Sequence, residues 1–266
     1  AALIRRVLLC LLVAGPAVAI RVLGVEFSAV AEVVVFGAAV VAAAFLLAWA
    51  AEAAQKDISG ALAIALLALI AVDLYYAYRS GSDPSYLHFA AANMTGSNRL
   101  LLGFGWPLVV VVALVVARRQ ARRDDAPTPN ALELPVASRR DVGFLAILGL
   151  VAFVIPLIGS IPLWFGVGLI VVFGLHLWRA AQTYDADQEE FVGAAALIAG
   201  LDARPRRILV VAMFLVSGAA ILISAEPFAD ALVASGSALG IDSYFLVQWL
   251  APLASEAPEF IIAVMF

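Results

Sequence analysis

The segment "SEAPEFIIAVMF", residues 255–266, places two glutamates and a proline inside an apolar run. Pro258 cannot donate a backbone hydrogen bond, so we expect a break in the helix there, with a carbonyl oxygen one turn earlier left without its usual partner. The carboxylate of Glu259 and the hydroxyl of Ser255, one turn apart on the same face, add the oxygen ligands that hard cations prefer. The alternative is an interfacial helix end with Glu256 and Glu259 in water. An acidic group within a membrane span predicts a functional site, so the rest of the chain must show whether lipid is the solvent.

The composition indicates a membrane protein. The chain has 266 residues, of which 65% are hydrophobic and 14% are charged, whereas a soluble domain is about half apolar and about a quarter charged. The single cysteine, Cys10, excludes an intrachain disulfide, and only two histidines are present, which disfavours a Cys or His metal centre. The net charge of −4 gives no indication of a nucleic-acid partner. We expect membrane lipid and small cations as partners and no cofactor, and the sequence does not indicate an oligomeric state.

Apolar runs long enough to cross a bilayer, about 20 residues each, recur along the chain. The first run, residues 3–20, is either a retained anchor helix or a cleaved signal peptide ending in small residues. The other runs are 27–54, 58–78, 87–117, 142–158, 162–179, 207–239 and 243–266. The predicted fold is therefore an all-α polytopic transmembrane protein.

The distribution of basic residues predicts the orientation of these helices. With the N-terminus inside, 13 of the 16 basic residues fall on the cytoplasmic side, as the positive-inside rule requires. Residues 27–78 and 207–266 then form similar helix pairs of opposite topology, which is typical of transporters with inverted repeats. The predicted organisation is a signal or anchor helix at 1–20, core helices of a first repeat at 26–117, an Arg-rich cytoplasmic loop at 118–140, a helical hairpin completing that repeat at 141–179, and the start of an incomplete second repeat at 207–266.

A second polar segment, "AANMTGSNRLLLGFGW" at residues 91–106, interrupts the third long span. Asn93, Ser97 and Asn98 offer neutral oxygens, and the first two share a helix face at i, i+4 spacing. Gly96 allows another backbone to approach closely. The alternative is a helix-packing face made of small and polar residues.

Three further polar residues lie within apolar helices. Gln248 precedes Glu259 by three turns on roughly the same face, which predicts that it lines an ion pathway. Glu226 and Asp230 flank Pro227 one turn apart. They either line the same pathway or mark a break near the outer surface.

Together, "SEAPEF" and "NMTGSN" resemble two segments of the cation/calcium exchanger superfamily. Members of that family have two inverted repeats, each with a Ser-x-Pro-Glu-like segment on its second helix and an Asn-x-x-Gly-Ser-Asn-like segment on its third. The resemblance implies that Glu259 is the main metal ligand with Asn93, and that Ser255, Glu256, Ser97 and Asn98 complete the cation site. It also implies that the helices 27–54 and 207–239 are sliding gate helices.

The function implied by this resemblance is secondary antiport of Ca²⁺ or a similar cation for Na⁺ or H⁺ by alternating access, in a bacterial inner membrane. One departure from the family pattern supports an alternative, a non-transporting scaffold or regulatory subunit, and a second, at Glu256, concerns the ion selectivity. The end of 58–78, "LALIAVDLYYAY", lacks the Pro-Glu expected in repeat one, so either the first carboxylate is lost or residues are missing between Val72 and Asp73. Glu256 occupies a position that is usually small and hydroxylic in the family. An enzyme is not predicted, because no catalytic cluster occurs at one membrane depth.

Overall fold

The computed structural model describes residues 2–58, 72–125, 127–131, 136–182 and 191–265, and every regular element in these ranges is helical. The α-helices are α1 (Ala2–Leu23), α2 (Ala29–Ala54), α3 (Val72–Ser82), α4 (Leu87–Leu100), α5 (Trp106–Arg123), α6 (Val136–Ala152), α7 (Val154–Ile158), α8 (Leu163–Gln182), α9 (Gly193–Ala199), α10 (Ala203–Leu239) and α11 (Ser243–Met265). A 3₁₀ turn at Pro84–Tyr86 precedes α4, and a π-helix at Leu101–Gly105 joins α4 to α5. In the described part of the chain, five stretches are long and apolar enough to span a membrane: Ala2–Leu23, Ala29–Ala54, Pro84–Arg123, Asp141–Ile158 and Ala203–Leu239.

The observed helices agree with the apolar runs, with differences at their ends. Helices α5 and α6 extend into both sides of the predicted loop 118–140. The expected interruption at "GFGWP" is a π-helix that continues the chain without a break. Backbone groups in lipid have no water to bond, so a polar or glycine-rich segment keeps a helical backbone there. Most of the predicted span 58–78 lies outside the described residues.

The first of two compact units comprises residues 1–109 and 184–266. Its centre is the contact between α2 and α10, where Gly37 lets the ring of Phe228 approach to 3.0 Å from the position of a Cβ. Small residues dominate the buried face of α2, and such residues allow close helix packing in membranes. Helix α1 packs against α2, and its Cys10, Ala14 and Ala17 are buried in the same core.

The second unit comprises residues 110–183 and contains most of α5 together with α6, α7 and α8. Gly159 ends α7 with a positive φ of 74°, a conformation that glycine adopts without steric cost. His176 of α8 stacks on Phe144 of α6 at 4.0 Å and lies 3.6 Å from the carboxylate of Asp141. The span Asp141–Ile158 is not buried within the protein, as expected of a helix whose side chains face lipid.

Contacts in the first unit bring several helix ends together at two separate places. Residues 21–32, the start of α4 and the later half of α10 meet at one end, through Arg21–Glu226 and Tyr86–Asp230 contacts. The end of α2 and the start of α10 meet at the other, through Asp57 and Arg206. The arginine distribution assigns the first end to the outside, and we call the two ends outer and inner.

An ion cluster joins α2 to α10 at the inner end. The guanidinium of Arg206 donates two hydrogen bonds to the carboxylate of Asp57, at 2.8 and 2.9 Å, and a third to the carbonyl of Leu201. Arg207 donates to the same carboxylate at 2.8 Å but is largely exposed. These bonds, led by that from Arg206, lower the pKa of Asp57 to about 2. Because the carboxylate is favoured in the folded state, the cluster stabilises the fold above the ordinary carboxyl pKa and loses this contribution as the pH falls towards 2.

Arg206→Gln is expected to lower the free energy of unfolding by about 3 kcal/mol, because it leaves a nearly buried carboxylate without its bidentate partner. Arg207→Gln, the matched control, is expected to cost less than about 1 kcal/mol because exposed ion pairs are weak. Denaturation of the purified protein in detergent micelles measures both. Equal losses in the two variants would contradict the assignment of Arg206 as the main partner.

Candidate cation site

Helices α4 and α11 touch along a line that we call the seam, and Gly96 is its closest point. A Cβ on Gly96 would lie 2.0 Å from the carbonyl oxygen of Gln248 and 2.8 Å from Cγ of Pro252. Real Cβ atoms do not approach other atoms closer than 3.0 Å. Only glycine therefore fits at this position of α4.

A second contact fixes the direction of the seam. A Cβ on Gly105 would lie 3.0 Å from the ring of Phe260, and the rings of Phe104 and Phe260 are 5.8 Å apart. Residue numbers increase in the same direction on both helices between the two contacts, so the helices run parallel, from outside to inside. The interval from Gly96 to Gly105 corresponds to about 14 Å of helix rise.

Asn93 and Ser97 lie on the buried face of α4 that contains Gly96. Asn93 is 1% exposed and Ser97 is 9% exposed. The buried Oγ of Ser97 has no hydrogen-bond partner within the described part of the chain. A buried hydroxyl of this kind is costly unless a ligand or water bonds to it, which makes Ser97 the strongest described candidate for a cation ligand on α4.

Asn98 does not join them. Its side chain is exposed, and its Nδ2 donates a hydrogen bond to the carbonyl of Met94 at 3.0 Å. A residue adjacent to Ser97 points about 100° away from it around the helix. The structure therefore separates Asn98 from the pair formed by Asn93 and Ser97, contrary to the prediction that all three surround one ion.

On α11, Ser255 is half-buried and donates to the carbonyls of Pro252 and Ala251 at 3.2 and 3.4 Å. Glu256 is also half-buried. The side chains of Pro258 and Glu259 lie outside the described residues, but the helix continues through both positions to Met265, so the expected backbone break at the proline is absent.

The register of α11 relates position 259 to the seam. Gln248, Pro252, Ser255 and position 259 follow one another at spacings of four, three and four residues, which defines one stripe of an α-helix. The first two contact Gly96. Ser255 and position 259 therefore continue the stripe that faces α4, towards the inner end.

The two residues that the resemblance names as metal ligands lie at different depths. Position 259 adjoins Phe260, which contacts Gly105, whereas Asn93 lies beyond Gly96 on the outer side. About 18 Å of helix rise separate Asn93 from Gly105. The side chain of Glu259 lies outside the described residues, so the expectation that Asn93 and Glu259 hold one ion together stays a prediction. Ser97 and Ser255, which lie between the two contacts, are the closer pair in depth.

Gln248 has a packing role that its sequence position did not reveal. It is 8% exposed, its carbonyl touches Gly96, and its Nε2 donates to Oγ1 of Thr95 at 3.4 Å. It thus cross-links the seam in addition to offering a polar group at its outer half. Thr95 was not predicted as a site residue, and only its position beside Gly96 could have suggested it.

Glu226 and Asp230 lie away from the seam, at the outer end. Glu226 forms an ion pair with Arg21 of α1. Asp230 accepts a hydrogen bond from the hydroxyl of Tyr86 at 2.6 Å and a longer one from Tyr75 at 3.5 Å. Asp230 also lines a cavity of about 500 Å³ bounded by the α1–α2 connection and by Pro227. Both residues thus lie at the outer end, but α10 continues through Pro227 without a break.

Among the residues that the structure describes, no group of three acidic, histidine or cysteine side chains could hold a metal ion. A cation on the seam would accordingly depend on serine, amide and backbone oxygens, with one carboxylate contributed at position 259.

Comparison with known proteins assigns the fold. A family model described as sodium/calcium exchanger protein matches residues 27–181, more than half of the chain. The chain belongs to the sodium/calcium exchanger family. The crystal structure of the H⁺/Ca²⁺ exchanger CAX superposes with a TM-score of 0.85 at 34% sequence identity, over 99% of this chain and 66% of that chain. No curated protein matches the sequence.

The family assignment confirms several predictions. The predicted superfamily resemblance and the all-α class are correct. The chain is a multi-pass integral membrane protein. Members of this exchanger family are transport proteins and not enzymes, as expected.

Proposed function

We propose that this exchanger-family chain catalyses antiport of Ca²⁺ or a similar divalent cation for Na⁺ or H⁺ by alternating access, in a bacterial inner membrane. The observation that carries the proposal is the seam, where Gly96 contacts Gln248 and Pro252 on the stripe that leads to position 259, and where Ser97 and Asn93 are buried on the same helix as Gly96. The match to an H⁺/Ca²⁺ exchanger supports calcium as the cargo.

The seam residues take different roles in this proposal. Glu259 is the charged anchor of the ion, because a divalent cation in a low-dielectric site needs a carboxylate partner. Ser255 and Ser97 supply neutral oxygens at neighbouring depths. Asn93 and Gln248 line the approach from the outer side.

Exchange follows from the charge of the anchor. An empty carboxylate is costly in the membrane interior, and a bound cation neutralises it. When the site is loaded, α2 and α10 can move. When the site is empty, its uncompensated charge keeps these two helices in place. A proton can replace Na⁺ as the driving ion, because protonation also removes the charge of the carboxylate.

Reconstitution into sealed vesicles tests the proposal. We expect uptake of radioactive calcium when a Na⁺ or H⁺ gradient is imposed, and none when both gradients are collapsed by ionophores. The gradient that drives uptake identifies the coupling ion. Calcium binding without uptake under either gradient would contradict antiport.

That result would support the alternative, a membrane scaffold or regulatory subunit that retains the exchanger fold. The observation that favours this alternative is the absence of a Pro-Glu pair in "LALIAVDLYYAY", residues 67–78. A protein with one carboxylate could bind a cation weakly and still lack the second charge needed for exchange.

A further inference from the structure

Helix α4 carries a positive charge on its exposed side. Arg99 is exposed, and its guanidinium lies 5.7 Å from the centre of the Trp249 ring on α11. Among the described residues, the arginines that form ion pairs are Arg21, Arg206 and Arg207, and no carboxylate is paired with Arg99. The charge directly precedes an apolar run, "LLLGFGWPLVVVVALVVA" at residues 100–117, so it belongs to a membrane span.

Arg99 lies near the middle of the first unit in depth. Tyr86, whose hydroxyl bonds to Asp230, marks the outer end, and Arg99 follows Tyr86 by 13 residues, or about 20 Å of helix rise. Along α10, Asp230 and Arg206 of the inner end are 24 residues apart, which corresponds to about 36 Å. Arg99 is therefore far from both ends of the unit. Charged side chains at such depths normally face protein or a water-filled cavity.

The exposed side of α4 has the composition of a protein contact. Five exposed residues, which we call the Arg99 face, are Ala91, Met94, Thr95, Asn98 and Arg99. Small residues four positions apart and amide side chains are typical of helix contacts in membranes, because they allow close approach and hydrogen bonding. The exposed positions of α5 and α6 differ, since they include many large aliphatic residues, among them Val109, Val111, Ile147 and Leu150.

The charge of Arg99 indicates which group covers this face. The Trp249 ring attracts the guanidinium, but a ring offers no oxygen acceptor to the N–H groups of an arginine. A carboxylate matches a guanidinium with two parallel hydrogen bonds and an opposite charge. A helix that presents a carboxylate at this depth is therefore the complementary partner.

The matched exchanger structure indicates where such a helix belongs. The match covers 66% of the CAX chain, so about a third of that chain lies outside it. The exchanger fold thus includes helices other than those of residues 1–266, and one of them can cover the Arg99 face.

We propose that the Arg99 face binds a transmembrane helix of the exchanger fold that lies outside residues 1–266 and presents a carboxylate to Arg99. The helix packs closely against the small side chains of Ala91 and Thr95. The proposal does not depend on the proposed antiport, and its test involves no measurement of transport.

Photocrosslinking to a model helix tests the proposal. Met94 is 54% exposed on the Arg99 face, so a photoreactive benzoylphenylalanine at position 94 reports a helix that binds there. The probe is a synthetic polyleucine span with one central glutamate, reconstituted with the full chain in phosphatidylcholine vesicles. We expect about tenfold more crosslinked product than with the same span carrying glutamine or lysine, because an ion pair is stronger than a neutral hydrogen bond.

Substitutions at Arg99 separate the effect of charge from that of packing. Arg99→Gln should remove the preference for the glutamate span, and Arg99→Lys should keep most of it. Arg99→Glu should shift the preference to the span with a central lysine. Ala91→Leu keeps the charge but should reduce crosslinking of every span, because it prevents close approach.

The matched control position is Leu150, which is 70% exposed on α6. The photoreactive residue at this position should show no preference among the three spans. A preference for the glutamate span at Leu150 as large as that at Met94 would overturn the proposal.

Three other results would also overturn it. Equal crosslinking of the three spans from position 94 in the protein with Arg99 would show that the face does not select a carboxylate. Crosslinking between two copies of the chain from position 94, without any peptide, would assign the face to self-association. Loss of the glutamate preference when phosphatidylglycerol is added would assign the charge of Arg99 to a lipid headgroup.

Discussion

Glu259→Gln is expected to reduce gradient-driven calcium uptake in reconstituted vesicles by at least about 100-fold, to the level of protein-free vesicles. Glutamine has nearly the shape of glutamate but carries no charge, so the packing of α11 is kept while the anchor of the cation is lost. Divalent cations rely on carboxylate ligands, and a proton-driven cycle also needs a group that ionises at this position. Initial uptake rates at matched protein content are the measurement.

Glu256→Gln is the control in the same helical turn. The family resemblance counts Glu256 among the cation ligands, but position 256 lies off the stripe formed by Gln248, Pro252 and Ser255, so we expect a loss of less than about threefold. Uptake above half of the parent rate in Glu259→Gln would remove Glu259 from the site. Loss in Glu256→Gln alone would transfer the anchoring role to Glu256.

The sequence predicted the long helices well, because their signal is local. The runs 27–54 and 207–239 correspond to Ala29–Ala54 and Ala203–Leu239. It predicted breaks less well: the chain stays helical through Leu101–Gly105 and through Pro258. In lipid, no water replaces a backbone hydrogen bond that is lost. Segments whose residues favour a break therefore stay helical within the membrane.

The candidate site was only partly accessible to sequence reasoning. The i, i+4 spacing places Asn93 and Ser97 on one face, and both are buried. The contact of Gly96 with Gln248 and the ion pair of Asp57 with Arg206 join residues about 150 positions apart, and a single sequence gives no indication of such pairings. Asn98 was grouped with Ser97 because both belong to the segment "NMTGSN" that resembles the family motif, although adjacent residues on a helix point in different directions.

Gly96→Ala is expected to abolish most uptake, with a loss of about 100-fold, although it changes no ligand. The added methyl would lie 2.0 Å from a backbone oxygen and 2.8 Å from Pro252, and neither a helix backbone nor a proline ring can rotate out of the way. The helices must separate by about 1 Å, and a displacement of that size in a site can cost about 100-fold in rate. Overpacking should also lower stability by about 1–3 kcal/mol, which thermal denaturation in detergent measures.

Gly103→Ala is the matched substitution, because it adds the same methyl group within the π-helix at Leu101–Gly105, where a Cβ on Gly103 meets nothing within 4 Å. We expect uptake and stability close to those of the parent.

If Gly96→Ala behaved like Gly103→Ala, the close approach of α4 and α11 would not be needed for transport. If it lost stability but kept its uptake rate per folded molecule, the seam would be a packing contact and not the cation site. Loss of uptake in a folded Gly96→Ala protein would instead show that the spacing of the two helices, and not only the identity of the oxygen ligands, determines whether a cation is bound.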